Sequence, residues 1–574
     1  MRICPKRQSV LDAGDHCLVM GGPGSGKTTL AILKAIARIG QGLTPGQEVL
    51  FLSFSRAAVA RISDAAGTMI QCKNQPSLSI ETFHSFFWRI LRGHGYLLGC
   101  PRQLSVLLPQ DERAISNGIG RDDPEWPVWA RARRAMCYSD GRIAFDLFAP
   151  LTEELFVRAK RIRTRVAGRY PLILVDEAQD TSNEQWACLQ LLAEESQVIC
   201  FADPNQMIYD FLPGVGPQRI ADIRTALQPH EIDLEAENHR SPRTEIAAFA
   251  RDMLTSKVRG TPYDGVSRLR FNSRAGTRDS AVRQSIGVLV KRIYHATGKK
   301  PTSIALIASY VRGVAVISKA LQGNKPIPHQ VLFDEAFALL CSRAAAFLME
   351  PKDPERHSAD VAQLLDLVER AFRANGNKGS LQLSARCRKY ADQCRADKVP
   401  SYKIVQAASR LIATSTTREY TGSPGHDWTE VKRDMRQAGD DSFKTMASSL
   451  EYLVAFARGQ RVSDSLSSLW LEHGSYANAR EALDAALAQD QLLSSRERAD
   501  GIYVMNMHKC KGKQFDGVVL YRQQHHSPFV WRQEPSPQGS SRRLLHMAIT
   551  RARSHVLILD EATSKCPILH PHVL

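Results

Sequence analysis

The sequence predicts an α/β protein organised on parallel sheet around a phosphate-binding loop, and three observations carry that prediction. Gly21-Gly22-Pro23-Gly24-Ser25-Gly26-Lys27-Thr28 has the form G-x-x-x-x-G-K-[ST]. It lies between a short apolar run, Cys17 to Met20, and a stretch from Leu30 to Ile39 whose apolar residues recur at helical spacing. Downstream, Pro171-Leu172-Ile173-Leu174-Val175 reads as an apolar strand running into Asp176-Glu177-Ala178-Gln179-Asp180, and an acid at the end of a buried parallel strand faces the ligand crevice.

In such a loop, glycine lets the backbone turn its N–H groups toward phosphate oxygens, and the following helix N-terminus adds a positive partial charge. Gly21, Gly22, Pro23, Gly24, Ser25, Gly26 and Thr29 are expected to line the nucleotide, Lys27 to reach its β- and γ-phosphates, and Thr28 to hold Mg2+ through its hydroxyl. A glycine-rich turn with a chance Lys-Thr is the competing reading, and the acid-ended strand argues against it. On that strand Asp176 is expected to hold Mg2+ and Glu177 to polarise the water that attacks the γ-phosphate.

With 574 residues, 43% hydrophobic and 24% charged, the chain has room for several domains with ample cores. Lys and Arg number 76 against 59 Asp and Glu, and a net charge of +17 points to a polyanionic partner, most simply nucleic acid. No run approaches the roughly 18 apolar residues of a membrane helix. Met1-Arg2-Ile3-Cys4-Pro5-Lys6-Arg7 is not followed by an apolar signal region, so the cytoplasm is the expected location. The twelve cysteines form no C-x-x-C pair, which predicts buried free thiols rather than disulfides or a zinc site.

Taken in order, Gln8 stands 19 residues before Lys27, and a glutamine can pair with both edges of an adenine ring. Glu48 to Phe54 reads as a second buried strand. Ser79 to Arg92 then crowds polar and aromatic residues at a strand end, where Phe54, Thr82, Phe83 and His84 are expected to face DNA and Phe87 and Trp88 the core. Residues 93–169 carry few strand signals. Within them Arg158, Lys160, Arg161, Arg163, Arg165 and Arg169 are candidates for phosphate contact, against the alternative of a solvated helix face. Ser196 to Phe201 is a further strand leading to Gln206, expected to sense the γ-phosphate, and to Tyr209 and Phe211, expected to face nucleic acid. Arg240 is a candidate γ-phosphate ligand, His239 a stacking surface for adenine, and Pro242 the start of the next helix.

In content and order these blocks resemble the UvrD/Rep/PcrA group of superfamily 1 DNA helicases, from Gln8 to about Pro242. The resemblance resumes near the C-terminus. Asn506-Met507-His508-Lys509-Cys510-Lys511-Gly512-Lys513-Gln514-Phe515 is similar to the family's fifth motif, with Gln514 in place of the usual Glu as the ribose ligand and His508 as a DNA contact. Leu544 to Arg553 is similar to the sixth, whose arginine finger matches Arg551, with Arg553 as a neighbour on a helix surface. His239 stands where the family has an adenine-stacking tyrosine.

The resemblance implies two RecA-like parallel-sheet motor domains with helical insertions. The expected divisions are 1–92 and 170–242 for the first motor domain, interrupted by an insertion at 93–169. The second motor domain takes 243–351 and 496–574, interrupted by a mainly helical accessory region at 352–495. It also implies ATP and Mg2+ as cofactors and ATP-driven movement 3′ to 5′ on single-stranded or tailed duplex DNA. The alternative is a DNA-activated ATPase subunit that senses DNA ends or single strands for a partner nuclease in antiphage defence.

Overall fold

The computed structural model describes the chain except residues 1–3, 55, 70–76, 122, 208–213, 235–237, 324, 333–335, 375–377, 451–459, 493–499, 532–533 and 573–574. The chain divides into two compact units. The first comprises Met1–Ile90, Ala149–Phe333 and Ser494–Leu574; the second comprises Leu91–Phe148 and Asp334–Leu493.

The described strands are β1 Cys17–Met20, β2 Val49–Ser53, β3 Leu78–Thr82, β4 Ser105–Leu107, β5 Arg142–Ala144, β6 Leu172–Val175 and β7 Gln197–Ala202. The chain continues with β8 His230–Asp233, β9 Val266–Phe271, β10 Ser303–Ala308, β11 Gln330–Leu332, β12 Gly501–Asn506, β13 Phe515–Arg522 and β14 Ala552–Glu561. The first unit holds two six-stranded sheets, ordered β3-β2-β6-β7-β1-β8 and β11-β12-β10-β13-β14-β9. Every strand pair in both is parallel. These are the two RecA-like sheets, and their central strands read as unbroken apolar runs because helices cover both faces. All five residues of β2 and all four of β6 are buried.

In the first sheet β7 lies between β6 and β1, so the chain leaves all three strands at one edge. Gly21 follows β1, Asp176 follows β6 and Asp203 follows β7, and parallel register brings their loops together there. A core of Val10, Leu30, Val49, Phe51, Leu172, Leu174, Ile199 and Phe201 fixes the sheet beneath them.

The second unit is helical apart from the short parallel β4–β5 pair among the described residues. Its core includes Ala114, Leu340, Phe347, Leu365, Ile412, Trp428 and Phe443. Arg343 grips both carboxylate oxygens of Asp111, with Nη2 to Oδ2 at 2.7 Å, and so ties the two sequence segments of the unit.

Two expected boundaries move. Residues 149–169 cluster with the sheets, where Arg163 and Thr164 meet Glu194 and Glu195 at 2.8 and 2.7 Å. Residues 334–351 leave the second sheet for the helical unit. Helix Ala336–Met349 buries Leu340, Cys341, Ala344, Ala345, Phe347 and Leu348, and an all-round apolar helix needs neighbours on every side. The helix expected at Pro242 starts at Ile246.

The charge is unevenly shared. The helical unit carries 29 Lys and Arg against 29 Asp and Glu, so the whole surplus of 17 cations belongs to the unit with the sheets.

Candidate nucleotide site

Gly24 and Gly26 have φ of +84° and +87°, the left-handed region that an L side chain resists. A Cβ on Gly24 would lie 2.6 Å from Asn238 Oδ1 and 3.2 Å from the Arg240 backbone nitrogen. The loop is held from outside by the His239 N–H, which donates to the Gly24 carbonyl at 2.8 Å, and by Arg7, which donates to the Ser25 carbonyl at 3.1 Å. Lys27 opens the Lys27–Gly40 helix and turns its ammonium back onto the Gly21 and Gly22 carbonyls, the latter at 3.2 Å. Asp203 lies 3.9 Å away.

Asp176 is buried, and its N–H donates to the Leu52 carbonyl at 2.9 Å. Glu177, beside it, adopts φ +54° and accepts from Gln179 at 2.6 Å. A non-glycine residue in that region marks a backbone that its surroundings hold in place. Burial, with Glu177 adjacent, pushes the Asp176 carboxyl up to about 6. Burial acts the same way on Glu177, but Lys511 and Lys27 outweigh it and hold that carboxyl below its ordinary range.

The second sheet reaches into this edge of the first. Lys511 pairs with the buried Asp180 and donates to the Gln206 carbonyl at 2.9 Å. Arg551 donates to the Gln206 side-chain oxygen at 2.6 Å, while Gln206 Nε2 donates to Asp203 at 2.5 Å. Arg240 donates to the Thr550 carbonyl at 2.6 Å, and Arg61 to the Gly512 carbonyl at 2.7 Å. With its carboxamide oxygen turned toward Arg240, Gln514 accepts from Nη2 and Nε at 3.1 and 3.2 Å.

These residues suit a nucleotide with a divalent cation. Burial and the neighbouring Arg551 and Arg61 depress the Arg240 guanidinium well below its ordinary value, a crowding of like charge that an anion relieves. The buried Ser25 Oγ has no hydrogen-bond partner among the described residues beside the glycine cradle. Asp176, at the sheet edge after β6, supplies the oxygen donor that Mg2+ prefers.

The UvrD/REP helicase N-terminal domain matches residues 5–128 and 130–226, and the UvrD-like helicase C-terminal domain matches residues 501–559. Residues 5–226 and 501–559 thus resemble the two ends of a UvrD/Rep-type helicase. The chain is 23% identical to DNA helicase II of Salmonella typhimurium over 242 residues, covering 36% of this chain and 34% of that protein. It is 25% identical to the ATP-dependent DNA helicase Rep of Escherichia coli over 281 residues, 42% of either chain. A longer alignment, 20% identical, pairs 96% of this chain with 78% of the putative ATP-dependent DNA helicase YjcD of Bacillus subtilis. The chain thus spans about a third of the length of DNA helicase II.

In this UvrD-like chain, Lys27, Asp176, Glu177, Gln206, Arg240, Gln514 and Arg551 converge on one cleft within the unit. Gln8 sits on the short helix Pro5–Asp12, exposed and bonded to Asp12 at 2.8 Å. His239 is exposed, with Nε2 3.5 Å from Arg7 Nη2.

The expected DNA face changes. Phe83 is 1% exposed and packs on Phe54 at 4.9 Å between ring centroids, so it belongs to the core. Thr82 is buried, and its Oγ1 accepts from the Ser85 N–H at 3.1 Å, which makes it the cap of helix Phe83–His94. His84 is half-buried, and His508 opens a short turn after β12. Tyr209 and Phe211 lie outside the described residues. Arg158, Arg163 and Arg169 pair with Glu154, Glu194 and Glu48, leaving Lys160, Arg161 and Arg165 exposed. Arg553 lies on β14 rather than on a helix, with Nη2 3.3 Å from Gln514.

Sequence reading missed Arg7, Arg61, Asp180, Asn238 and the partner role of Lys511. Each acts across more than a hundred residues or through a backbone carbonyl, and neither leaves a spacing pattern. The eleven described cysteines are free thiols, ten of them buried.

Proposed function

We propose that this chain is an ATP-dependent DNA helicase or translocase, moving 3′ to 5′ on single-stranded DNA. The contact of Arg551 with Gln206 carries the reading, because it joins a cation of one sheet to the phosphate-side loop of the other. ATP would supply the γ-phosphoryl group whose transfer to water releases free energy, and Mg2+ would neutralise charge on its oxygens.

The roles of the chain's own residues follow. The Gly21–Gly26 backbone, Thr28 and Thr29 bind the phosphates, and the Lys27 ammonium moves from loop carbonyls to phosphate oxygens. Thr28 and Asp176 hold Mg2+. Glu177 is ionised at neutral pH, because Lys511 and Lys27 depress it, and takes a proton from water. Arg240 and Arg551 stabilise the transferring charge only when the two sheets are apposed, and Gln206 passes that state between them. Gln8 and His239 hold the base, and Gln514 the ribose. Phe54, His84, Tyr209, Phe211 and His508 contact the strand.

A second reading is a DNA-activated ATPase subunit working for a partner nuclease in antiphage defence. The uncharged Gln514, engaged with Arg240, and the exposed His239 favour it, since both weaken autonomous nucleotide binding.

The test is ATP hydrolysis by the isolated chain with and without single-stranded DNA, with Glu177→Gln as control. Strong DNA stimulation, abolished by the substitution, supports the motor. Hydrolysis that survives Lys27→Ala overturns both readings.

A further inference from the structure

Helix Ala275–Thr297 covers one face of the second sheet. Leu289 and Ile293 crowd Gly517 of β13, where a Cβ would lie 2.8 Å from Leu289 Cδ2 and 2.6 Å from Ile293 Cδ1. Val282, Ile286, Val519, Tyr521, Leu557 and Leu559 share that core. Side chains alternate along a strand, so the equally buried Val518, Leu520, Val556 and Ile558 face the other side. The long helix packs on the face opposite Val518 and Leu520, and the loop after it reaches Asp516 through the Thr302 N–H at 2.8 Å. The helix runs back toward the edge where β10 begins.

Its last turns and the following loop present Lys291, Arg292, Tyr294, His295, Lys299 and Lys300, all exposed, with Tyr294 at 50%. The Tyr294 and His295 rings stand edge-on at 6.3 Å. Among the described residues none of the four cations meets a carboxylate within ion-pair distance. From Ser280 to Phe333 the sequence has eight Lys and Arg and no Asp or Glu. Cations near a helix C-terminus complement its dipole, but that effect ends within the last turn and does not account for Lys299 and Lys300 beyond it.

We propose that this basic and aromatic surface is a second docking site for single-stranded nucleic acid, built from residues that take no part in the nucleotide contacts. The cations meet backbone phosphates, and the exposed Tyr294 ring offers a stacking face for a base. Single strands are favoured over duplex because a free aromatic face is of use only where bases are unstacked. The site lets the motor keep hold of a strand while the cleft releases it. It rests on the reading of DNA as the partner but not on hydrolysis.

The experiment compares the full chain with a variant carrying Lys291→Ala, Arg292→Ala, Lys299→Ala and Lys300→Ala, by fluorescence anisotropy with a long labelled oligonucleotide across a salt series. A control variant removes four exposed cations from the other unit: Arg386→Ala, Lys389→Ala, Lys398→Ala and Lys403→Ala. About tenfold weaker binding at low salt is expected, with the slope of log K against log salt falling by up to about 3, as lost phosphate contacts require. The control should bind as the unaltered chain does, and hydrolysis at saturating oligonucleotide should be unchanged in both. An iodouracil oligonucleotide should photocrosslink to Tyr294 of the unaltered chain. Equal affinity and slope in all three proteins, an equal loss in both variants, or crosslinks that avoid Tyr294 would each overturn the proposal. Absence of DNA binding by the unaltered chain would instead remove the motor reading.

Discussion

Arg551, one residue before β14, donates to the side-chain oxygen of Gln206 on the loop after β7 at 2.6 Å, while Gln206 donates onward to Asp203 at 2.5 Å. One buried amide thus reads a cation on one sheet and a carboxylate on the other. Both residues are almost fully buried, at 2% and 3% exposure, so the pair sits in a medium where charge is little screened.

Arg551→Lys tests this relationship. Lysine keeps the charge but loses the planar fork that lets arginine hold Gln206, the Met547 carbonyl and Thr550 together. A fall in kcat of about 10^3-fold, with a smaller change in KM for ATP, is expected from steady-state hydrolysis.

The Lys511–Asp180 pair is a second bridge, and both members are buried. Burial pushes the Asp180 carboxyl up to about 7 against the pull of Lys511, so Lys511→Ala leaves it protonated and short of a partner at a cost of about 1–3 kcal/mol, whereas removing both groups with Lys511→Met and Asp180→Leu should cost less than the single change. Thermal unfolding of the three proteins measures it. A double variant less stable than Lys511→Ala would show that the pair itself stabilises the fold.

Gly24→Ala meets both a positive φ and the Asn238 side chain, so strain of about 1–2 kcal/mol and loss of labelled-ATP binding are expected. Gly22→Ala has open space around its Cβ and should leave thermal stability unchanged.

His555 hydrogen-bonds Ser267 at 2.8 Å, and burial, with Arg292 nearby, lowers its pKa to about 4 against the opposing pull of Asp264. Below the ordinary histidine range the unfolded chain takes up a proton that the folded chain refuses, so stability falls as pH drops from about 6.5 toward 4. The loss attributable to His555 between pH 7 and pH 5 is about 2 kcal/mol. A His555→Asn variant should show a correspondingly flatter decline in thermal midpoint over that range.

The phosphate loop, the acid-ended strand and the parallel α/β class were legible because each is a local pattern. Glycine at fixed offsets, an apolar run and a following acid all lie within a dozen residues. Gln206 and Arg240 were candidates from the residues around them, and Arg551 through family resemblance. The cap role of Thr82 was not legible, because a hydroxyl that caps a helix and one that meets a phosphate occupy the same kind of position, at the end of a strand. Phe83 was misread because its ring becomes core only when Phe54 arrives from another strand.

By itself, then, the chain determined the strands around its phosphate loop, its glycine cradle and its overall positive charge, since these depend on spacing and composition. Tertiary structure decided which charges meet. Asp180 finds Lys511 across 331 residues, and Arg7 closes on the loop that begins fourteen residues later. It also put the entire cationic surplus on the unit with the sheets and returned residues 149–169 to that unit. Ion pairs and burial depend on distance in space, and no period along the sequence encodes that distance.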